Sequence, residues 1–503
     1  MNYRTDDQIA QKAQIKLCDR VASCELSNDY TLPDYQPEIR RVLKVSASVL
    51  PASKYVSGSR AELGGTVDYR LLYVASDGKL YSAPLVSEYE LSVPFEADSR
   101  VELGEGITLI ANTTADNVSA RVSAPRKLCV KCRVSADVRA FGTVTLDELI
   151  SGEADDQSIQ RLCGECGSEY VSAGVGETKE YTADFDTTSD GIRVIESSAE
   201  LLMTDAYIDS MGAKCKGELL IDLLVCNEST DEEPTHLKKV LPFEDTVELD
   251  GELDACVARG YVSDLKVNVE DGRILCVVSA FSEVTAHAKS NVRYTKDIYS
   301  TERFCEASYK EQTMSAPLYC ASSNFSQSER IQLDEGQTAI GATAIGCYCV
   351  PSVDDCAYTD GKYVASGNCR YTVIAKKESE YFCFDQSVPF KYEFASGDEY
   401  SNAHIFVCPA SATARIDKDL LSLDSELYVY AELSKEFSIS TLSEARFGEV
   451  LDKKCGDMIV CYPTPEDTLW SISKRYSVPT VSLDGISDPE AKLDGVDYLI
   501  VNF

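Results

Sequence analysis

A tripeptide of the form (Val/Leu)-Pro-Phe occurs three times in this chain at nearly equal intervals. It stands at Val93-Pro94-Phe95, Leu241-Pro242-Phe243 and Val388-Pro389-Phe390, with the prolines 148 and 147 residues apart. Self-similarity at a fixed period marks a repeated structural unit. The flanks repeat with it. A strand-like run precedes each landmark: Val67–Tyr73, Leu219–Val225 and Tyr371–Ala375. A polar turn and a second run follow, beginning at Arg126-Lys127-Leu128, Gly272-Arg273-Ile274 and Asp417-Lys418-Asp419-Leu420.

Inside each copy the apolar pattern has period two. Runs rich in Val, Tyr, Leu and Thr are broken by Asp-Gly, Ser-Gly and Pro, which is strand and turn chemistry. Asp77-Gly78 is placed for a hairpin turn. The expected fold is therefore mostly β: three tandem antiparallel, sandwich-like repeat domains over 38–146, 190–300 and 335–450. A lead-in with an amphipathic helix is expected over 1–37. A linker with short helices is expected over 147–189, and a second linker over 301–334. Residues 226–237 read as an acidic surface loop within the second copy. Each Pro-Phe is expected to start a strand and bury its Phe.

The totals narrow the functional classes. The chain has 503 residues, enough for several cores, and is 44% hydrophobic, too apolar for a disordered chain. Its formal net charge of −35 repels nucleic acid and anionic membrane surfaces and favours basic protein partners. The N-terminal residues lack the basic and apolar regions of an export signal, and no apolar run is long enough to span a bilayer. A cytoplasmic location is the expectation. Most of the 20 cysteines then read as thiols, several as small buried hydrophobes within strands.

Two Cys-x-x-Cys pairs, Cys129/Cys132 and Cys163/Cys166, invite a zinc reading. On a strand, positions i and i+3 face opposite sides, which spoils chelation by the first pair. The second pair is the better placed for a reactive dithiol, although ordinary linker thiols suffice. The three histidines, His236, His287 and His404, lie far apart in sequence, outside any motif. No nucleophile elbow, Walker loop, zinc-protease helix or dinucleotide fingerprint occurs. The expectation is no enzyme, no catalytic residue, no metal and no cofactor.

The texture changes near residue 457. A short strand at 458–462 precedes Thr464-Pro465-Glu466-Asp467-Thr468, where Thr464 or Asp467 is placed to cap a helix. Leu469, Ile472 and Tyr476 then form one apolar stripe. A second short helix is expected near 479–484 and a closing strand at 498–501, giving a small βααβ module over 457–503. The run Asp467-Thr468-Leu469-Trp470-Ser471-Ile472-Ser473-Lys474-Arg475-Tyr476-Ser477-Val478, with Asp488-Pro489 and Leu499-Ile500-Val501, resembles the LysM family. Leu32-Pro33-Asp34-Tyr35-Gln36-Pro37-Glu38-Ile39-Arg40-Arg41-Val42-Leu43 resembles the opening of the SPOCS domain of spore-coat proteins.

The resemblance implies the layout of a clostridial spore morphogenetic family, SPOCS repeats closed by one LysM. It implies a scaffold role in spore coat assembly, in the mother-cell cytosol at the forespore surface. The partners implied are other spore coat proteins and an ATPase like stage IV sporulation protein A, docked by the LysM end. LysM modules otherwise hold N-acetylglucosamine polymers such as peptidoglycan. The binding loops carried over are Glu466, Asp467, Thr468, Trp470, Ile486, Asp488 and Pro489. Glu466 replaces the family's usual Gly, and the stretch before Asp488 is short and lacks the usual Asn. Both departures favour a protein partner over a glycan. Trp470, the single tryptophan, is expected at the edge of the helical stripe, either as a binding anchor or as a lid on the small core.

Overall fold

The computed structural model describes residues 12–96, 101, 106–145, 157–187, 191–229, 233–270, 272–452, 458–480 and 488–502. The fold is mostly β and its sheets are antiparallel. The first group of strands is β1 (Lys12–Thr31), β2 (Ile39–Val49), β3 (Ser53–Ser57), β4 (Arg60–Ala75), β5 (Leu80–Pro94), β6 (Ile107–Ala124) and β7 (Lys127–Thr145). One sheet centres on β4, flanked by β5 on one side and by β2 and β3 on the other; the second has the order β1-β7-β6. Alternation explains why they pack face to face. Leu128, Val130, Cys132, Val134, Ala136, Val138 and Ala140 of β7 are all buried against Val67, Tyr69, Leu71 and Tyr73 of β4. The turn at Asp77-Gly78 is formed as its sequence suggests, with Gly78 at φ 80° and Asp77 Oδ1 accepting from Lys79 N at 2.9 Å.

The second group is β8 (Ile159–Val175), β9 (Lys179–Asp186), β10 (Ile192–Asp209), β11 (Gly212–Asn227), β12 (Thr235–Val247), β13 (Ala255–Glu270) and β14 (Arg273–Ser300). Its sheets are β10-β11-β12 and β13-β14, with β9 and then β8 alongside β14. The third group is β15 (Arg303–Gln332), β16 (Thr343–Thr359), β17 (Lys362–Lys377), β18 (Glu380–Ala395), β19 (Asn402–Asp417) and β20 (Leu420–Val450), in sheets β16-β17-β18 and β15-β20-β19. The connection order is shared. An edge strand leads into a three-stranded meander, and a hairpin then returns to pair with that edge.

The register supplies an equivalence finer than the tripeptide. Gly65, Gly217 and Gly367 stand directly opposite Tyr89, Phe243 and Phe390 on the neighbouring edge strand. The rings of Tyr89 and Phe390 lie across the space that Gly65 and Gly367 leave, and all three aromatics are buried. A Cβ at Gly65 would sit 2.8 Å from Tyr89 Oη; one at Gly367 would sit 1.9 Å from the Ser352 carbonyl oxygen. The tripeptides at Pro242 and Pro389 therefore correspond. The one at Pro94 does not: it lies past Tyr89, at the end of β5. Nor do the prolines start strands. Pro242 and Pro389 sit inside edge strands, where a missing N–H costs no ladder bond. Phe95, Phe243 and Phe390 are buried as expected.

β-bulges place the residues that join the groups. The ladders slip at Val42/Lys44, Val194/Glu196 and Ala344/Gly346, so Leu43, Ile195 and Ile345 leave the regular pairing. These three meet Leu72, Leu224 and Ile374, one central-strand residue from each group, in a single buried cluster. A second joint cluster combines Ile15 of β1, Val144 of β7, Val292 and Tyr294 of β14, Met314 of β15 and Ile439 of β20.

Several expectations are corrected. From Lys12 the lead-in is strand β1 rather than a helix, since pairing with β7 along its length outweighs local helical spacing; residues 1–11 lie outside the described residues. Within the stretch 147–189 the described residues form β8 and β9, drawn onto the flank of β14; residues 146–156, where short helices were expected to begin, and residues 188–190 lie outside the described residues. The expected linker 301–334 is mostly β15, a partner of β20 from Arg303↔Val450 to Gln332↔Leu420. The acidic stretch 226–237 does hold the connection from β11 to β12, with residues 230–232 outside the described set. The C-terminal stretch contains β21 (Met458–Cys461), α1 (Leu469–Tyr476) and β22 (Leu499–Asn502). A second helix is not seen at 478–480, and residues 481–487 lie outside the described set.

Two substitutions test this packing. Leu72→Ala should cost about 2–5 kcal/mol, because the cavity opens where three groups meet. Gly367→Ala should lower the denaturation midpoint well beyond Gly64→Ala, whose added carbon meets nothing nearer than 3.7 Å. Urea unfolding of the full chain measures both.

Candidate functional site

The C-terminal module is built around a short capped helix. Thr468, rather than Thr464 or Asp467, is the N-cap. Its hydroxyl accepts from Ser471 N at 3.1 Å, and Ser471 Oγ accepts from Thr468 N at 2.9 Å. Asp467 is used beside it. Its carboxylate accepts from Thr464 N and Oγ1, each at 2.9 Å, and pairs with Arg475 at 2.5 Å. Those contacts hold it below the usual carboxylate range. Ser477, in the left-handed region at φ 51°, ends α1. Cys461, Ile472, Val478, Leu493, Leu499 and Val501 form the module's own core.

Of the seven loop residues expected to meet a partner, the structure turns several inward. Trp470 is 6% exposed and its backbone N–H donates to Pro489 O at 2.9 Å. Asp467 and Thr468 hold the turn and cap. Glu466 is exposed and pairs with Lys492 at 2.9 Å across the loop mouth. Asp488 is exposed and accepts from Glu490 N at 2.9 Å. Ile486 lies outside the described residues.

Trp470 is turned onto β14. Its Nε1–H donates to Asp297 Oδ2 at 2.8 Å, and its ring meets Tyr299 edge-on with centroids 4.9 Å apart. Lys474 pairs with Asp297 Oδ1 at 2.5 Å, Tyr299 Oη donates to Val478 O at 2.8 Å, and Lys296 pairs with Glu490 at 2.8 Å. Asp297 also accepts from Tyr309 Oη and from Ile298 N. Burial would raise its carboxyl, but hydrogen bonds from Lys474, Trp470 and Tyr309 outweigh that and hold it low. The β14–β8 ladder slips between Thr295 and Asp297, which aims Lys296 and Asp297 at the module. No local motif marks Lys296, Asp297 and Tyr299 as a landing site; the segment reads as one more strand.

The module also carries exposed apolar side chains. Met458, Val460 and Tyr462 on one side, with Tyr498 and Ile500 on the other, are all exposed. The register pairs Val460 with Ile500, so these two share one face of the hairpin, with Cys461 and Leu499 buried on the other.

Each histidine, unremarkable in sequence, meets a carboxylate. His236 Nδ1 lies 2.7 Å from Asp222 and His287 Nδ1 lies 2.6 Å from Glu169. His404 Nδ1 lies 3.0 Å from Asp137, and its Nε2 lies 3.7 Å from Asp19. Asp19, Asp137 and His404 offer ligand atoms within 4.8 Å of one another, a spacing a metal could use. Lys16 also pairs with Asp19 at 2.6 Å, so the carboxylates already face two cations. Burial alone would lower the His404 pKa; hydrogen bonds with Asp137 and Asp19 prevail and raise it to about 9. Nearby, the buried Arg139–Glu432 pair at 2.6 Å joins β7 to β20. These groups form a clamp between the first and third strand groups. The Cys-x-x-Cys pair on β7 splits as its strand position implies: Cys132 enters the core while Cys129 Sγ contacts Ser27 Oγ at 3.6 Å. Cys163 and Cys166 lie in β8 rather than in a linker.

Protein-family models, curated proteins and solved structures each yield no match to this chain. Among the described residues, no helix is long and apolar enough to cross a membrane.

Two outcomes follow. Asp297→Ala should shift Trp470 emission to longer wavelength and cost about 1.5–3 kcal/mol, a hydrogen bond to a charged group; fluorescence reads it without interference from a second tryptophan. His404 is bound more tightly to its proton when folded than an ordinary imidazole near pKa 6.5. Its stabilisation is therefore complete below about pH 6.5 and lost as pH rises through about 9. Denaturant midpoints measured from pH 6 to 10 should fall in that window, and less steeply in His404→Gln.

Proposed function

We propose that this protein is a non-catalytic adaptor in bacterial spore coat assembly. The strand groups act as three related sandwich units that carry coat or morphogenetic proteins. The C-terminal stretch is a LysM-like module that docks on a basement-layer ATPase similar to stage IV sporulation protein A. The organisation resembles that of the clostridial spore morphogenetic protein SipL, and the working location is the mother-cell cytosol at the forespore surface.

One observation carries this reading: a module held against the body by Trp470 that presents five exposed apolar side chains outward. Exposed apolar patches rimmed by polar residues serve protein contacts. A glycan groove instead needs the loops beside Glu466, and Glu466 is paired with Lys492 there. The work of such an adaptor is done by buried area at two or more interfaces.

The test is capture of the ATPase by the full chain. Tyr462→Asp combined with Ile500→Asp should abolish capture while the body stays folded. Asp385→Asn, on the exposed flank of β18, should leave it unchanged. Retention on peptidoglycan with no capture of the ATPase would overturn the proposal in favour of a cell-wall protein.

A further inference from the structure

The third strand group differs from the other two at one end, and the difference builds a pocket. The register places Val56, Ile208 and Tyr358 in equivalent positions, opposite Ala61, Ala213 and Tyr363. On the next strand, Val93, Val247 and Phe394 correspond. Three aliphatic sites in the first two groups are thus all aromatic in the third. Tyr358 and Tyr363 have centroids 5.1 Å apart, and Tyr363 stacks on Phe394 at 5.6 Å.

Larger rings at this end are matched by a cavity of about 520 Å³, lined by Tyr358, Tyr363 and Tyr400 together with Asp354, Asp355 and Glu399. Its volume falls within the range of small-ligand sites. The lining residues include three carboxylates and no Lys, Arg or His. The nearest lysine in sequence, Lys362, is turned to Glu393 at 3.2 Å. Tyr363 is fixed in place, its hydroxyl donating to Tyr400 O at 3.0 Å and accepting from Tyr400 N at 2.7 Å. Tyr363 is therefore held in place before any ligand arrives.

We propose that this pocket binds an organic cation, the side chain of an arginine or lysine on a basic partner protein. Aromatic faces attract cations through the ring quadrupole, and carboxylates at the rim complete the charge match. The overall charge of −35 draws such a partner in. The site lies on β16–β19, apart from the C-terminal module, and does not depend on how that module is used.

Saturation-transfer NMR on the full chain tests this with N-acetyl-arginine methylamide, its lysine counterpart, the neutral citrulline analogue and tetramethylammonium. Arginine or lysine should show saturable binding that citrulline lacks. Asp355→Asn with Glu399→Gln should weaken it at least about tenfold. Tyr358→Val, which installs the residue of the first group, should weaken it too while preserving the fold. Asp417→Asn, exposed at the far end of β19, should change nothing. Equal binding of citrulline, a response to tetramethylammonium alone, no binding, or full binding by the double variant would each overturn the proposal.

Discussion

Leu43, Ile195 and Ile345 each leave their ladder at a bulge, and the rest of the architecture depends on where they go. A strand buried on one face has its other face free, and in a single sandwich that second face belongs to water. Here the second faces of β4, β11 and β17 carry Leu72, Leu224 and Ile374, which are as buried as the sandwich cores. The three groups must therefore close on one another to hide these residues. At around 25 cal/mol per Å² of apolar surface removed from water, such a junction outweighs the few polar contacts at its rim. The bulges are what let side chains from an edge ladder reach the shared centre.

Closing three sheets on a common centre also traps charge. Lys44 and Glu196, at equivalent bulge flanks of two groups, pair at 3.3 Å, and Tyr348 of the third donates to Glu196 at 2.6 Å. Arg139–Glu432 and the histidine clamp repeat the same solution elsewhere. Breaking one partner of a buried pair leaves the other uncompensated, so these contacts fix which group sits beside which. Apolar burial gives the assembly its stability, and the charge pairs give it a defined arrangement.

The strands were legible because apolar alternation runs through all three groups: Leu128, Ile274 and Leu421 each open a buried run. The tripeptide misled at its first occurrence, since Pro94-Phe95 lies at a different register from Pro242-Phe243 and Pro389-Phe390. β1, β8 and β15 were misread because their conformation comes from partners distant in sequence. At the candidate site, sequence marked helix α1 but not its cap. It could not give the direction of Trp470, which is set by Asp297 and Tyr299 on a strand more than a hundred residues earlier. The histidine pairs were invisible for the same reason, each carboxylate being brought in by sheet geometry.

The length of β15 has a consequence for how the chain is made. Its first residue pairs with Val450 and its last with Leu420, so its hydrogen bonds wait on a strand that synthesis reaches roughly a hundred residues later. While the ribosome is still translating β16 to β19, a thirty-residue strand hangs from the first two groups with its ladder unfilled. Loops of that length add only modestly to the entropy of closure, so the delay is one of time more than of free energy. A nascent chain of this protein therefore keeps the β15 edge open until β20 has been made.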